Sequence, residues 1–194
     1  MEKKDFRILI ADDDEIALDV VGTVLRREGY TIIPARDGGE AVRNIRRGGI
    51  GLVITDLKMP VHDGIEVLQN AVAIDPEIAV VILTAYGTLD TTLEAMKHGA
   101  YDYLTKPFRT QEIAFVAERA HKRAILISEH KRLKGMLRDT YLGLAEMGCR
   151  ADDSKEDGRD AWFQRIKDLE AFAVLNSEEA AWIRERLVGG YGKG

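Results

Sequence analysis

The chain has 194 residues, 45% of them hydrophobic and 31% charged, with 28 Lys and Arg against 33 Asp and Glu and a net charge of −5. That composition excludes a disordered chain, and no apolar run approaches the ~20 residues that a bilayer span requires. Residues 1–120 carry 14 basic and 20 acidic side chains and residues 121–194 carry 14 and 13, so charge alone directs neither part to nucleic acid.

Met1–Asp5 leads directly into a strand pattern without the apolar region of a signal peptide. The lone cysteine, Cys149, permits no internal disulfide, so a reducing cytoplasm is the expected compartment. From there to residue 120 the pattern alternates. Strand-like runs lie near 6–10, 30–34, 51–55, 79–83 and 101–104; helix-like runs lie near 15–28, 38–47, 64–74, 89–98 and 109–120. Five strands alternating with five helices at this spacing predict βαβ units, a parallel sheet covered on both faces, and a three-layer α/β/α domain over 5–120. The near-continuous apolar third and fourth strands point to burial on both faces. In the first helix Ile16, Val20, Val24 and Leu25 recur at helical spacing, and Gly29 is the expected C-terminal cap. Asp75-Pro76 stops the third helix, because the residue before proline is pushed out of the α region.

Beyond 120 the helical pattern runs on to about Leu144. Leu126, His130, Leu133, Leu137, Thr140 and Leu144 follow a heptad seam, interrupted by two polar positions and weakened by Gly135 and Gly143. Residues 121–147 are therefore expected as an extended helix with coiled-coil character, and 148–160, nearly free of apolar side chains, as a linker. Over 161–190 two short helices are expected. One has the stripe Trp162, Ile166, Leu169 and Ala173; the other has Ala180, Ile183 and Leu187, opened by Asn176 or Ser177 with Glu179 completing a capping box. Two such helices bury too little to stand alone and must dock on the first domain, the long helix or another subunit. Trp162 and Trp182 read as packing anchors. His62, His98, His121 and His130 have no metal-ligand spacing and read as surface or core-edge residues.

Chemistry gathers where the strands end. Asp12-Asp13, Asp56, Thr84 and Lys106 each lie just after or at the end of an apolar run. In open α/β sheets that carboxyl edge is where ligands bind. Clustered carboxylates facing a lysine suit a divalent cation with a phosphoryl group: Asp oxygens favour Mg²⁺, a lysine neutralises phosphoryl oxygens, and an exposed Asp is a nucleophile. Singly, each has a plain structural reading: an acidic helix start, a cap, a surface lysine, a strand-end threonine. At one sheet edge together they form a site.

The motifs Ile-Leu-Ile-Ala-Asp-Asp-Asp (8–14), Thr-Asp-Leu-Lys-Met-Pro-Val-His-Asp-Gly (55–64), Leu-Thr-Ala-Tyr-Gly (83–87) and Tyr-Asp-Tyr-Leu-Thr-Lys-Pro-Phe (101–108) resemble the receiver domain of two-component response regulators. The similarity covers about residues 5–120. It is greatest to receivers of nitrogen-regulation-type activators, around Ala85-Tyr86-Gly87 and Gly99–Tyr103. The resemblance implies a flavodoxin-like, doubly wound five-stranded sheet of order 2-1-3-4-5 with a helical extension. It implies that Asp56 accepts phosphate from a histidine kinase and that Asp13, Asp56 and the Lys58 carbonyl bind Mg²⁺, with Asp12 acting through water. Lys106 and Thr84 would contact the phosphoryl group, Thr84 and Tyr103 would form the switch pair, and Lys106-Pro107 would be cis. Lys58 and Tyr86 occupy positions that, in this family, govern how easily water attacks the acyl phosphate, so slow dephosphorylation is expected.

The output lies in the tail. No G-x-x-x-x-G-K-[ST] occurs, and Gly192-Lys193 has no following Ser or Thr, which excludes a nitrogen-regulation-type ATPase output; a cyclic-dinucleotide synthase needs far more residues. The expected role is a phospho-switch, not an enzyme in the usual sense, that changes protein contacts or oligomeric state. Its expected partners are a histidine kinase, a second copy through residues 109–144, and an output protein. Nucleic acid is not the expected partner, since the helix from Glu178 carries three acids against two bases. The alternatives are a transcription regulator with a divergent DNA-binding tail over 160–188 and a phosphorelay intermediate.

Overall fold

The computed structural model describes residues 1–146 and 156–188, the side chains at 146, 156–160 and 187–188 excepted. Two compact units divide the chain at Ile127/Ser128. In the first, β1 (Arg7–Ala11), β2 (Thr31–Ala35), β3 (Ile50–Thr55), β4 (Ala79–Thr84) and β5 (Asp102–Thr105) alternate with α1 (Glu15–Arg27), α2 (Gly38–Arg46), α3 (Gly64–Ile74), α4 (Leu89–Lys97) and the first part of α5 (Thr110–Glu146). All pairings are parallel, in the order β2-β1-β3-β4-β5. The doubly wound sheet is the expected one.

The alternation of side chains along each strand sorts the core. Ile8, Ile10, Leu52, Ile54, Val81 and Leu83 turn to a face covered by Leu18, Val21 and Leu25 of α1 and Ile113, Val116 and Ala117 of α5. Leu9, Ala11, Val53 and Val80 turn the other way, against Val42 and Ile45 of α2 and Val67 and Leu68 of α3. Burial on both faces is why the central strands read as unbroken apolar runs. Pro34, which lacks an N–H, sits on the edge strand β2.

Each helix start is marked by a side-chain cap: Asp14, Asp37, Asp63 and Thr88 accept from backbone N–H groups at the starts of α1 to α4. Gly29, at φ 92°, follows α1 in the left-handed region, and Asp75, extended before Pro76, ends α3. One expectation needs correction. Ile16 and Val20 are 74% and 44% exposed, and α1 packs through Leu18, Val21, Gly22 and Leu25. Both stripes have helical spacing; the second also meets Phe6, Ile8 and Tyr30 of the core.

α5 is a single helix, Thr110–Glu146. In the second unit, α6 (Glu156–Ala171) and α7 (Ser177–Val188) share a core with its last turns: Ala145, Ile166, Leu169, Leu175, Ala180 and Ile183, flanked by Tyr141, Leu142, Trp162 and Trp182. The two short helices thus dock on the long one. The Trp162 ring meets Tyr141 edge-on at 5.8 Å, as a packing anchor. Asn176 and Glu179 form the expected reciprocal cap, with N–H to oxygen distances of 2.8 and 3.1 Å. Ala173 is not on the α6 stripe: it is exposed at φ 51°, and its place in the core goes to Leu175. Helix α6 starts at Glu156, inside the span expected as linker. Residues 147–155, Cys149 among them, the Leu187 side chain and the Gly-rich end lie outside the described residues.

Candidate functional site

β1 and β3 are neighbours, yet β1 is joined to β2 on its other side, so the chain leaves the sheet in opposite directions at their carboxyl ends. Such a switch point forms a crevice, and Asp12 and Asp56 stand in it. The Asp56 N–H donates to the Ala11 carbonyl at 2.8 Å and the Asp12 N–H to the Ala35 carbonyl at 3.2 Å, extending the sheet by one residue on each strand. Both carboxylates are buried. Asp12 Oδ1 accepts the Asp14 N–H at 3.0 Å, and Asp56 Oδ2 accepts the Lys58 N–H at 2.7 Å. The loop after Asp56 folds back tightly: Gly64 N–H donates to the Leu57 carbonyl at 2.9 Å, and a Cβ at Gly64 would lie 2.3 Å from the Asp56 carbonyl oxygen. Only glycine permits this approach.

Lys106 arrives from the end of β5, ahead of a cis bond to Pro107. Its Nζ lies 2.6 Å from Asp12 Oδ2 and 3.4 Å from Asp56 Oδ1. Burial acts to lower the Lys106 pKa, but the hydrogen bond and charge of Asp12 and the charge of Asp56 hold it above its ordinary value. Asp12 is pushed up, first by burial, which the Lys106 and Asp14 hydrogen bonds offset only in part. One ammonium thus serves two desolvated carboxylates. The remaining charge and the all-oxygen donor set fit Mg²⁺, which binds through one or two carboxylates and keeps its waters. Asp13 is exposed, and among the described residues no three acidic, histidine or cysteine side chains are gathered closely enough to hold a metal ion. The fit therefore rests on Asp12 and Asp56.

Thr84 ends β4, fully buried; its Oγ1 accepts the Tyr86 N–H at 3.1 Å, and its carbonyl accepts the Lys106 N–H at 2.8 Å. Tyr103 is half-buried on β5, and its hydroxyl lies 3.0 Å from Thr91 Oγ1 of α4. Sequence reasoning missed Thr91. Its N–H donates to the capping Thr88 hydroxyl and its own hydroxyl accepts the Thr88 N–H, so its pattern reads as half of a capping box and nothing more. The Lys58 Nζ sits 4.1 Å from the centre of the Tyr86 ring, a cation–π contact that spans the loops after β3 and β4. Of the histidines, His121 is buried against Phe6 at 5.0 Å and Tyr30 at 5.8 Å, a core-edge residue.

Comparison with known proteins matches residues 8–118 to the response regulator receiver domain. The transcriptional regulatory protein ZraR of Klebsiella oxytoca is 41% identical over 100 residues, which is 52% of this chain and 23% of that protein. The C4-dicarboxylate transport transcriptional regulatory protein DctD of Rhizobium meliloti is 27% identical over 141 residues, 73% of this chain and 31% of that protein. The chain thus spans about a quarter to a third of the length of these relatives. Among solved structures, a receiver domain from Clostridium thermocellum aligns with TM-score 0.60 and 35% identity over 63% of this chain and 98% of that one. The beryllofluoride-activated NtrC4 receiver domain dimer aligns with TM-score 0.56 and 30% identity over 59% and 94%.

Proposed function

The chain belongs to the response regulator receiver domain family, and from that premise we propose that Asp56 accepts a phosphoryl group from a histidine kinase, so that the protein works as a phospho-switch and not as an enzyme turning over an external substrate. The observation that carries this is the pair of buried carboxylates, Asp12 and Asp56, sharing the Lys106 ammonium at the switch point of the sheet. An Asp56 oxygen attacks phosphorus, the bond to the kinase's imidazole nitrogen breaks with its electron pair leaving on nitrogen, and an acyl phosphate remains. Asp13, Asp56 and the Lys58 carbonyl, with Asp12 acting through water, would hold Mg²⁺, which would supply charge neutralisation for the transferring oxygens. Lys106 then exchanges part of its contact with Asp56 for a phosphoryl oxygen.

Thr84 and Tyr103 transmit the change. For the Thr84 hydroxyl to reach the phosphoryl group it must leave the Tyr86 N–H, and for the Tyr103 ring to turn inward it must leave Thr91. The switch therefore trades these two hydrogen bonds for one to phosphate. The test is uptake of phosphate from a small-molecule phosphodonor, read by intact mass, with and without Mg²⁺. Uptake that needs Mg²⁺ and disappears in Asp56→Ala is the expected result; labelling that survives in Asp56→Ala overturns the assignment.

The output proposed for the helices after the receiver is a phosphorylation-dependent change of protein contacts or of association with a second copy through residues 109–144. A cytoplasmic setting goes with this reading; among the described residues no helix is long and apolar enough to cross a membrane. The second reading, a DNA-binding tail, is favoured by the printed names of the relatives, which are transcriptional regulators. Helix α7 weighs against it. Its Ala180 and Ile183 are buried, and its exposed positions include Glu178 and Glu185 beside Arg186. Salt-dependent binding of duplex DNA decides between the two. A phosphorelay role would appear as transfer of label from Asp56 to a histidine-containing protein.

A further inference from the structure

The stop of α6 shapes the surface beside it. The Val174 N–H donates to the Leu169 carbonyl at 2.8 Å and the Ala173 N–H to the Glu170 carbonyl at 3.0 Å. These are the paired bonds of a Schellman motif, with Ala173 at φ 51° in the place that glycine usually takes. The turn sends Leu175 into the small core and packs Val174 against it, while Phe172 stays 71% exposed. On α5, Leu133 and Leu137 are 57% and 41% exposed. Between the turn and α5 lies a groove of about 390 Å³ lined by Leu133, Leu137, Leu169, Phe172 and Val174, a size and lining that suit a small ligand.

Two polar side chains complete the lining, His130 and Lys134, one turn apart on α5. Both are basic, and neither side chain has a hydrogen bond or ion pair among the described residues. Other cations of this unit are occupied: Arg138 is held by Glu179, and Arg184 by Glu170 at 2.7 Å. Lys134 is half-buried, and a lysine so placed covers apolar surface with its stem and keeps its ammonium toward water.

A cleft that is otherwise apolar, with only basic polar groups, matches a ligand with an apolar body and an anionic head. From His130 to Leu137 is two turns of helix, ~10 Å. That is the reach of a medium-length alkyl chain and is shorter than an ordinary protein helix of about three or four turns. We infer that this groove binds a small amphiphilic carboxylate, of the class of a medium-chain fatty acid, its chain between α5 and the Leu169–Val174 turn and its head at Lys134 and His130. A neutral or cationic ligand would cover the groove and leave these two groups unpaired, at a cost in desolvation. The groove lies wholly in the second unit, Ser128–Gly194, so the inference stands apart from the phosphoryl chemistry at Asp56.

The test is isothermal titration of the full chain with hexanoate, octanoate and decanoate, each below its micelle-forming concentration. One site per chain is expected, tightening about fourfold for each added methylene. Decanol, which has the chain without the charge, is expected to bind about tenfold more weakly than decanoate. Lys134→Gln should weaken decanoate about tenfold, the loss of one charged hydrogen bond, and leave decanol unchanged. Phe172→Ala should weaken both, and Arg132→Gln, a cation outside the groove, neither. Heats that never saturate, or several sites per chain, show adsorption to apolar surface at large and overturn the inference. Equal affinity for decanoate and decanol overturns it, as does a Lys134→Gln chain that binds decanoate as well as the parent. Sedimentation of the same samples covers the remaining case. Decanoate that binds only when the chain is diluted to its monomer makes a second copy the occupant, and the inference falls.

Discussion

The receiver unit and the tail unit bury apolar surface by different means. In residues 1–127 a five-stranded sheet presents two apolar faces, and helices on each side close a core cluster over each of them. Among the described residues the tail has one small core of six buried side chains, closed only because Tyr141, Leu142 and Ala145 of α5 supply its third wall. The first unit has surface to spare for holding two carboxylates and a lysine in a desolvated crevice, where the electrostatics are costly. The second has none to spare and leaves Leu133, Leu137 and Phe172 in water.

Four variants separate the units or sharpen the contrast. Asp56→Ala is expected to have the largest effect, complete loss of phosphate uptake with no change in the helical content of the tail by circular dichroism. Next is Ile183→Ala, which empties a fully buried site in the small core and is expected to cost ~2–5 kcal/mol, as core truncations of this size do. The tail should then exchange its amide hydrogens freely while the receiver keeps its protection and its phosphate uptake. If protection falls equally in both units, the division at residue 127 is not a division in stability.

A third probe lies in the receiver core. The Tyr30 hydroxyl is buried and has no hydrogen-bond partner among the described residues, while burial, followed by the charges of Glu118 and Glu28, pushes its pKa up to about 12. The unfolded chain loses this proton near pH 10 and the folded chain only near 12. The fold therefore keeps this contribution below pH 10 and loses it as pH rises from 10 to 12, a loss on the order of 1–2 kcal/mol. Tyr30→Phe should flatten that decline in urea midpoint across this range; an unchanged slope would show that other groups cause it. The smallest effect is expected at the surface. Lys58→Ala with Tyr86→Ala removes the stacked pair beside the crevice and should speed loss of phosphate from Asp56 by a few-fold, consistent with a cation–π contact worth ~0.5–1 kcal/mol. A decay rate identical to that of the parent chain would remove the pair's shielding role.

Much of this was legible in the residues. The strand and helix spans over 5–120 follow from periodicity and caps, and the structure places them within one or two residues. The acidic and basic members of the site announce themselves by position at strand ends. Other features were not legible, for identifiable reasons. Thr91 looks like the inner half of a capping box because it is one, and nothing local says that its hydroxyl also meets Tyr103 across the space between α4 and β5. Ala173 continues the helical stripe of α6 on paper, yet it takes a left-handed conformation that lets Leu175 turn into the core.

By itself the sequence determined the alternation of elements, their ends, the parallel sheet and the residue types at its carboxyl edge, because these depend on hydrophobic period and on capping groups a few positions apart. Only the tertiary structure decided which stripe of α1 is buried, that one lysine serves both Asp12 and Asp56, that the Thr84 hydroxyl is held by Tyr86, and that α6 and α7 close on the end of α5. Each of these is a choice among locally equivalent options, settled by side chains brought together from distant parts of the chain. Helical period marks two faces of α1 as apolar; only Phe6, Ile8 and Tyr30 on the neighbouring layer select the one that leaves water.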